Sequence, residues 1–291
     1  MPLPVLFPLL AATLYAAGAM LVKRSADLGV GVWRTAFVAN IACGLLFQSL
    51  LPLGGTLHPE LWWQPAIVAV CFVAGQWLTF ISLDRGDVSV ATPVLGLKII
   101  LVATLATLLG GQVLRWQLWV AAVLATGGIA LLNRRGGLSA YHNVGRTIVT
   151  AGLAAAAYAI FDVLVQKWSP AWGPGRFLPL ALGLSGVFSL VFVFRFRAPL
   201  SAIPRAAWPW LIGGTLTMGI QSVIFVFTVA NWGNAAQSNV VYSSRGLWTV
   251  VLIWVFGHWV KSREQQLGGN VLAWRLAGAV LMMAAIVLVL R

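Results

Sequence analysis

The sequence predicts an all-α membrane protein of ten transmembrane helices, arranged as two inverted five-helix repeats. Three observations lead there. Composition is the first: 60% of the 291 residues are apolar, 9% are charged, and mean hydropathy is +0.91, against roughly 25% charged residues in a soluble domain. Spacing is the second. Apolar runs of about twenty residues, each enough to cross the hydrocarbon core, fall at about 4–22, 32–53, 62–83, 88–109, 115–132, 147–167, 177–195, 207–229, 236–260 and 272–290. They are too long and continuous for barrel strands, so helices are left as the way to satisfy the backbone in lipid. Repetition is the third. Gly86 to Gly110 reads GDVSVATPVLGLKIILVATLATLLG; moved by 147 positions, Gly86 falls on Gly233, Lys98 on Arg245 and Gly110 on Gly257.

Taken in order, the elements support the repeat. The first helix lacks the basic start of a signal peptide. Its Tyr15, followed by AAGAMLVKRS, matches Tyr158 of the sixth, followed by AIFDVLVQKWS. In the second helix Arg34 opens RTAFVANIACG; in the seventh Arg176 opens RFLPLALGLSG, and Gly44 falls on Gly186. The third and eighth carry Gln76 and Gln221 in their interiors. The fourth and ninth carry Lys98 and Arg245. The fifth has LRWQLWVAAVLA where the tenth has LAWRLAGAVLMM. The repeats are thus predicted over residues 1–135 and 144–291. Between them lies Asn133–Arg146, whose Gly and basic residues mark a hinge. Lys261–Asn270 lacks a first-half counterpart and reads as a surface insertion.

A five-helix unit is odd, so the second copy must start from the opposite side of the membrane. That gives a pseudo-two-fold axis in the membrane plane, an arrangement associated with secondary transporters. It also puts Lys98 and Arg245 at one depth. Connections after the odd helices hold Lys23, Arg24, Arg85, Arg134, Arg135, Arg146, Arg195, Arg197, Arg205, Lys261 and Arg263; the other side holds Arg115, Lys167, Arg176, Arg275 or Arg291. The richer side is placed in the cytoplasm, with both termini outside a bacterial inner membrane. The same placement accounts for the net charge of +13 and argues against a nucleic-acid partner. Cys43 and Cys71 lie in apolar segments without a CxxC, giving neither disulfide framework nor metal site. Nine tryptophans near segment ends (Trp33, Trp62, Trp63, Trp168, Trp172, Trp208, Trp210, Trp259, Trp274) read as an interfacial belt, and Arg34 and Arg176 lie close enough to helix starts to snorkel.

The chemistry inside the membrane is sparse. Of the six acidic residues, Asp162 alone lies well inside a helix; the repeat places it opposite Ala19. It is either a buried partner of Lys98 or Arg245, or a group that binds a substrate ammonium or carries a proton. A buried charge costs at least ~2.5 kcal/mol on insertion scales and so faces a cavity or a partner. Two cations against one acid leave one positive charge for an anionic ligand: a guanidinium offers a bidentate fork, an ammonium a compact charge. Gln76, Gln221, Asn239, Tyr242 and Trp248 are further candidate substrate-binding residues, Trp248 through stacking one turn beyond Arg245; interhelical packing is the alternative for each. Ser243 and Thr92 lie on the same helices. Pro93 removes one backbone bond and reads as a kink. HExxH, GxSxG and P-loop patterns are absent, which argues against an enzyme and against ATP-driven transport by this chain alone. No cofactor is expected.

The stretch LDRGDVSVATPVLGLKIILVATLATLLGGQVLRWQLWVAAVLATGGIALL and its partner ending WRLAGAVLMMAAIVLVL resemble the drug/metabolite transporter superfamily in its ten-helix EamA-type branch. The resemblance implies alternating access around a central site lined by helices one, three, four, six, eight and nine. It also implies basic residues on helices four and nine where related carriers of organic phosphates and nucleotide sugars have them. Many members carry Glu after the Gly ending those helices; this chain has Gly111 and His258. The resulting expectation is a secondary transporter, an exporter by resemblance, of a small anionic or zwitterionic metabolite such as an amino acid. Lys98 and Arg245 would take the carboxylate, and Asp162 the ammonium or a coupled proton. Its partners would be the small-molecule substrate and the bilayer, as monomer or homodimer. A lipid or lipid-linked-sugar translocase and an accessory subunit without its own substrate are the alternatives.

Overall fold

A computed structural model describes residues 3–85, 88–132, 144–256 and 269–290. The predicted central hinge, most of the 261–270 insertion, Gly86, Gly257, His142, His258, Trp259 and the loop cations Arg134, Arg135, Lys261 and Arg263 lie outside the described residues. Every described element is helical, as the length and hydropathy of the apolar runs predict. In chain order these are α1 (Leu3–Asp27), α2 (Val32–Phe47), α3 (Trp63–Arg85), α4 (Val88–Gly96), α5 (Lys98–Leu108), α6 (Trp116–Leu132), α7 (Val144–Trp172), α8 (Pro174–Phe188), α9 (Trp208–Trp232), α10 (Ala235–Tyr242), α11 (Arg245–Phe256) and α12 (Gly269–Val289). Short 3₁₀ tails extend α2 (Gln48–Leu53) and α8 (Ser189–Arg195). Seven of the ten predicted runs are continuous spans long and apolar enough to cross a membrane. Two more, in α6 and α12, form shorter apolar helices. The ninth predicted helix is divided between α10 and α11, and the fourth is jointed between α4 and α5.

Helix ends follow local chemistry. α1 stops where Gly29 takes φ 89°, a conformation open to glycine. Val30 N–H then reaches Ser25 O (3.2 Å) and Gly29 N–H reaches Ala26 O (2.9 Å), the paired bonds of a Schellman ending. At the other end of α2, Gly55 has φ 130°, and a Cβ there would run into Trp172 O. Thr56 N–H donates to that carbonyl at 2.8 Å, so the turn before α3 is locked onto the turn after α7.

The connections sort to two ends of the bundle, as counting helices requires. At one end Val30 packs with Ile203, Ala207 and Leu211, and Arg34 donates to Gly29 O (2.8 Å) and Pro199 O (3.3 Å). At the other, His58 Nε2 meets Ala171 O at 3.2 Å and Gln112 Nε2 donates to Gly233 O at 2.8 Å. Arg34 therefore does not snorkel: it is 8% exposed and ties two turns together. Two tryptophans also leave the predicted belt. Trp33 is buried among Trp77, Phe80 and Phe192, and Trp172 is fully buried with Nε1–H on Gln64 Oε1 at 2.9 Å. Trp62, Trp63 and Trp274 are exposed, as a belt requires.

Packing between helices comes in matched pairs. α1 lies along α9 as α7 lies along α3; α2 contacts α9 as α8 contacts α3; α1 meets α10 and α11 as α7 meets α4 and α5. Of the other large contacts, α6 with α12 and α2 with α8 join equivalent positions of the two halves, whereas α7 with α9 has no comparable counterpart between α1 and α3 among the described residues. Small residues make this closeness feasible. A Cβ on Gly278 would meet Gly128 O at 2.7 Å, and one on Gly128 would meet Gly278 O at 2.9 Å. The main core gathers Ala11, Ala12, Val102, Ala159, Val163, Leu178 and Phe225, while Leu45, Val70, Leu108, Val123, Val149 and Val280 face outward, where hydrocarbon would cover them.

Candidate functional site

The two membrane-embedded cations occupy matching places: Lys98 is the first residue of α5 and Arg245 the first of α11. Each follows a tightened turn. Leu97 N–H bonds Val94 O, three residues back, at 3.0 Å; Pro93, the expected kink, stands four residues before this joint. In the other half Val240 holds the Pro93 place, so proline cannot be the cause there. Ser243 Oγ instead donates to Val240 O at 2.6 Å, a back-bond of the kind that bends helices. Ser243 N–H is shared between Asn239 O (3.0 Å) and Val240 O (3.2 Å), and Ser244 N–H reaches Val241 O (3.1 Å). Such 3₁₀ turns inside a helix mark hinges or strained positions.

α7 brings the acid. Asp162, 1% exposed, accepts from Lys98 Nζ at 2.8 Å and from Asn239 Nδ2 at 2.7 Å, both on Oδ2. Asn239 also donates to Ala235 O at 2.9 Å. The ammonium faces the rings of Tyr158 (5.7 Å) and Phe225 (5.6 Å), positions at which a ring quadrupole attracts a cation. The Lys98 side chain keeps 18% of its accessible surface where that of Asp162 keeps 2%. The exposed part of the pair is thus on the lysine side chain and not on the acid.

Arg245 is held differently. Its guanidinium carbon lies 4.8 Å from the centre of the Tyr15 ring and 4.7 Å from that of Tyr242. The Tyr242 hydroxyl donates to Gln221 Oε1 at 2.9 Å, and Gln221 Nε2 donates to Ser222 Oγ at 2.8 Å. Phe225 packs on Tyr242 at 4.4 Å and so joins the two cation boxes. Among the described residues no carboxylate lies within 4.0 Å of Arg245, and Ser244, 2% exposed, has no partner there for its hydroxyl. The cluster holds two cations and one acid. The Lys98–Asp162 pair cancels, and the charge left over is on Arg245.

Of the predicted site residues, Lys98, Asp162 and Asn239 form one group and Arg245, Tyr242 and Gln221 the other. Gln76 is not brought to either: it exchanges two hydrogen bonds with Asn40, at 2.6 and 3.1 Å, tying α2 to α3. Trp248 packs half-buried against the main core, and the rings over Arg245 are Tyr15 and Tyr242 in its stead. Tyr15, Tyr158 and Phe225 are the residues that sequence reasoning passed over. A signal did exist for the first two: they are the tyrosines that align the two halves, and each faces the cation on the opposite half.

Residues 2–134 match the EamA-like transporter family. The match spans the predicted first repeat and stops short of half of the chain's length. The matched family is one of transporters, and the apolar helices fit a multi-pass membrane protein. A solved structure described only as "Crystal structure of protein" shares the fold, with a TM-score of 0.76 and 14% identity over 98% of this chain and 95% of its own. At that identity the likeness concerns fold alone. No curated protein matches the chain in sequence.

Proposed function

We propose that this EamA-like protein is a secondary transporter of a small metabolite bearing a carboxylate or phosphate, an amino acid fitting best. The observation that carries this reading is Arg245: a guanidinium inside the membrane, braced by two tyrosine faces and without a described carboxylate partner. A planar fork held this way is suited to a carboxylate. The Lys98–Asp162 pair is the second element. Its ammonium can turn to the same anion while Asp162 takes the substrate ammonium or a proton. The paired Asp162 taken alone would equally suit a subunit with no substrate; the uncompensated Arg245 favours a transporter. The matched helix contacts support two inverted repeats, residues 1–135 and 144–291, that exchange shapes in alternating access. Outward transport across a bacterial inner membrane, with both termini outside, rests on the family likeness and on the basic loops.

The test is a thermal-shift screen of the purified protein against amino acids, organic acids, organic phosphates and lipid headgroups, followed by flux in liposomes. A ligand at 100 times its Kd raises stability by about 2.7 kcal/mol. Arg245→Ala and Lys98→Ala are each expected to abolish the shift and the flux. Transport left intact by both would remove the site assignment.

A further inference from the structure

We infer that the membrane-facing groove between α3 and α8 is a binding site for an anionic phospholipid, its phosphate held by Arg195. The groove has a volume of about 510 Å³ and is lined by Val70, Val73, Ala74, Trp77 and Leu78 of α3 with Phe188 and Val191 of α8 and its tail. It lies along two spans apolar enough to cross the bilayer, where acyl chains are the material available to fill it. Arg195 ends the same tail, one turn beyond Val191. Its guanidinium sits 5.2 Å from the Trp33 ring and 5.5 Å from the Trp77 ring, and Trp77 is itself part of the groove wall. Two indoles thus fix the guanidinium at the groove's mouth.

The remaining donors of Arg195 are open: among the described residues no acceptor or carboxylate takes its N–H groups. A fixed planar fork beside an apolar channel matches a phosphodiester with attached chains. The level is also right. Arg195 stands at the end of a span, and this end of the bundle carries Lys23, Arg24, Arg197 and Arg205, the set that faces anionic headgroups. The matching groove on the other half, between α2 and α9, is lined by Phe37, Val38, Ile41, Ala42, Leu45, Leu46, Ser49 and Leu216. The tail that ends α2, Gln48–Leu53, carries no cation where that of α8 ends in Arg195, so this groove provides an internal comparison: chains fit, but nothing selects the headgroup.

The experiment reconstitutes the full chain in nanodiscs of phosphatidylcholine alone or in an equal mixture with phosphatidylglycerol, and reads thermal stability and lipids retained in native mass spectrometry. Wild type is expected to retain phosphatidylglycerol over phosphatidylcholine. Arg195→Gln is expected to reduce that preference about tenfold, the order of one charge-assisted phosphate contact; Arg195→Lys keeps part of it, and Arg197→Gln leaves it unchanged. Soluble glycerol phosphate should not reproduce the stabilisation. The inference is overturned if Arg195→Gln keeps the wild-type preference, if Arg197→Gln removes it equally, or if glycerol phosphate alone suffices.

Discussion

Deleting the Lys98 ammonium leaves Asp162 as a carboxylate with one neutral donor, Asn239, in a place where it is 1% exposed. At the observed 2.8 Å and an effective dielectric of about 20, the lost attraction is roughly 6 kcal/mol before desolvation is counted. Desolvation offsets much of that, and breaking one side of a buried pair costs about 3–5 kcal/mol. Lys98→Met, which keeps the length and removes the charge, should lose stability of that order. Asp162→Asn should lose less, about 1–3 kcal/mol, because Lys98 has accessible surface and two aromatic faces left. The double variant removes both charges together. It should cost less than the two singles combined, by about 2 kcal/mol or more. Unfolding in mild detergent, titrated with a denaturing one and followed by helical signal, measures all three. Single effects that add to within about 0.5 kcal/mol would refute the claim that these residues stabilise each other.

Three further outcomes follow from the packing. Gly278→Ala should destabilise by about 1–3 kcal/mol, since its Cβ meets backbone atoms at 2.7 and 2.9 Å; Gly152→Ala, with nothing within 4 Å, should be neutral or stabilising by up to about 1 kcal/mol, and the same denaturation assay compares them. Trp172→Phe strands Gln64 Oε1 inside the protein and should cost about 1–3 kcal/mol, which Trp172→Phe combined with Gln64→Leu partly restores. Tyr15→Phe should preserve ligand binding where Tyr15→Ala weakens it by about 0.5–2 kcal/mol, because the ring face, not the hydroxyl, meets Arg245; ligand titration reads the difference.

The frame of this protein was written in its hydropathy because a bilayer sets helix length with little regard for neighbours. The site was written less fully. Lys98, Asp162 and Arg245 stood out as charges in apolar runs, and their cost marks them without knowledge of the fold. Tyr15 and Tyr158 carried no such mark, since an aromatic ring is equally at home in a core; what makes them partners of a cation is an interhelical contact. The joint near Lys98 could be read from Pro93, whereas the joint before Arg245 depends on Ser243 turning its hydroxyl back to Val240, one of several rotamers open to serine. Gln76 and Gln221 looked equivalent. Their roles parted because Asn40 faces one and Tyr242 the other, and the second-half residue aligned with Asn40 is Leu182, which cannot form the same clamp. Trp172 was misplaced by proximity to a helix end, where the turn at Gly55 folds over it.

Most helix contacts recur between the halves, but Asp162 has Ala19 as its opposite number. In a cycle where the halves trade shapes, geometry alternates and charge does not. The anionic end of a cargo would stay on the α11 side and its cationic end on the α7 side in both open forms, so the molecule would cross without turning round. Selectivity should then rank substrates in the same order from either face of the membrane, even where the two faces differ in affinity.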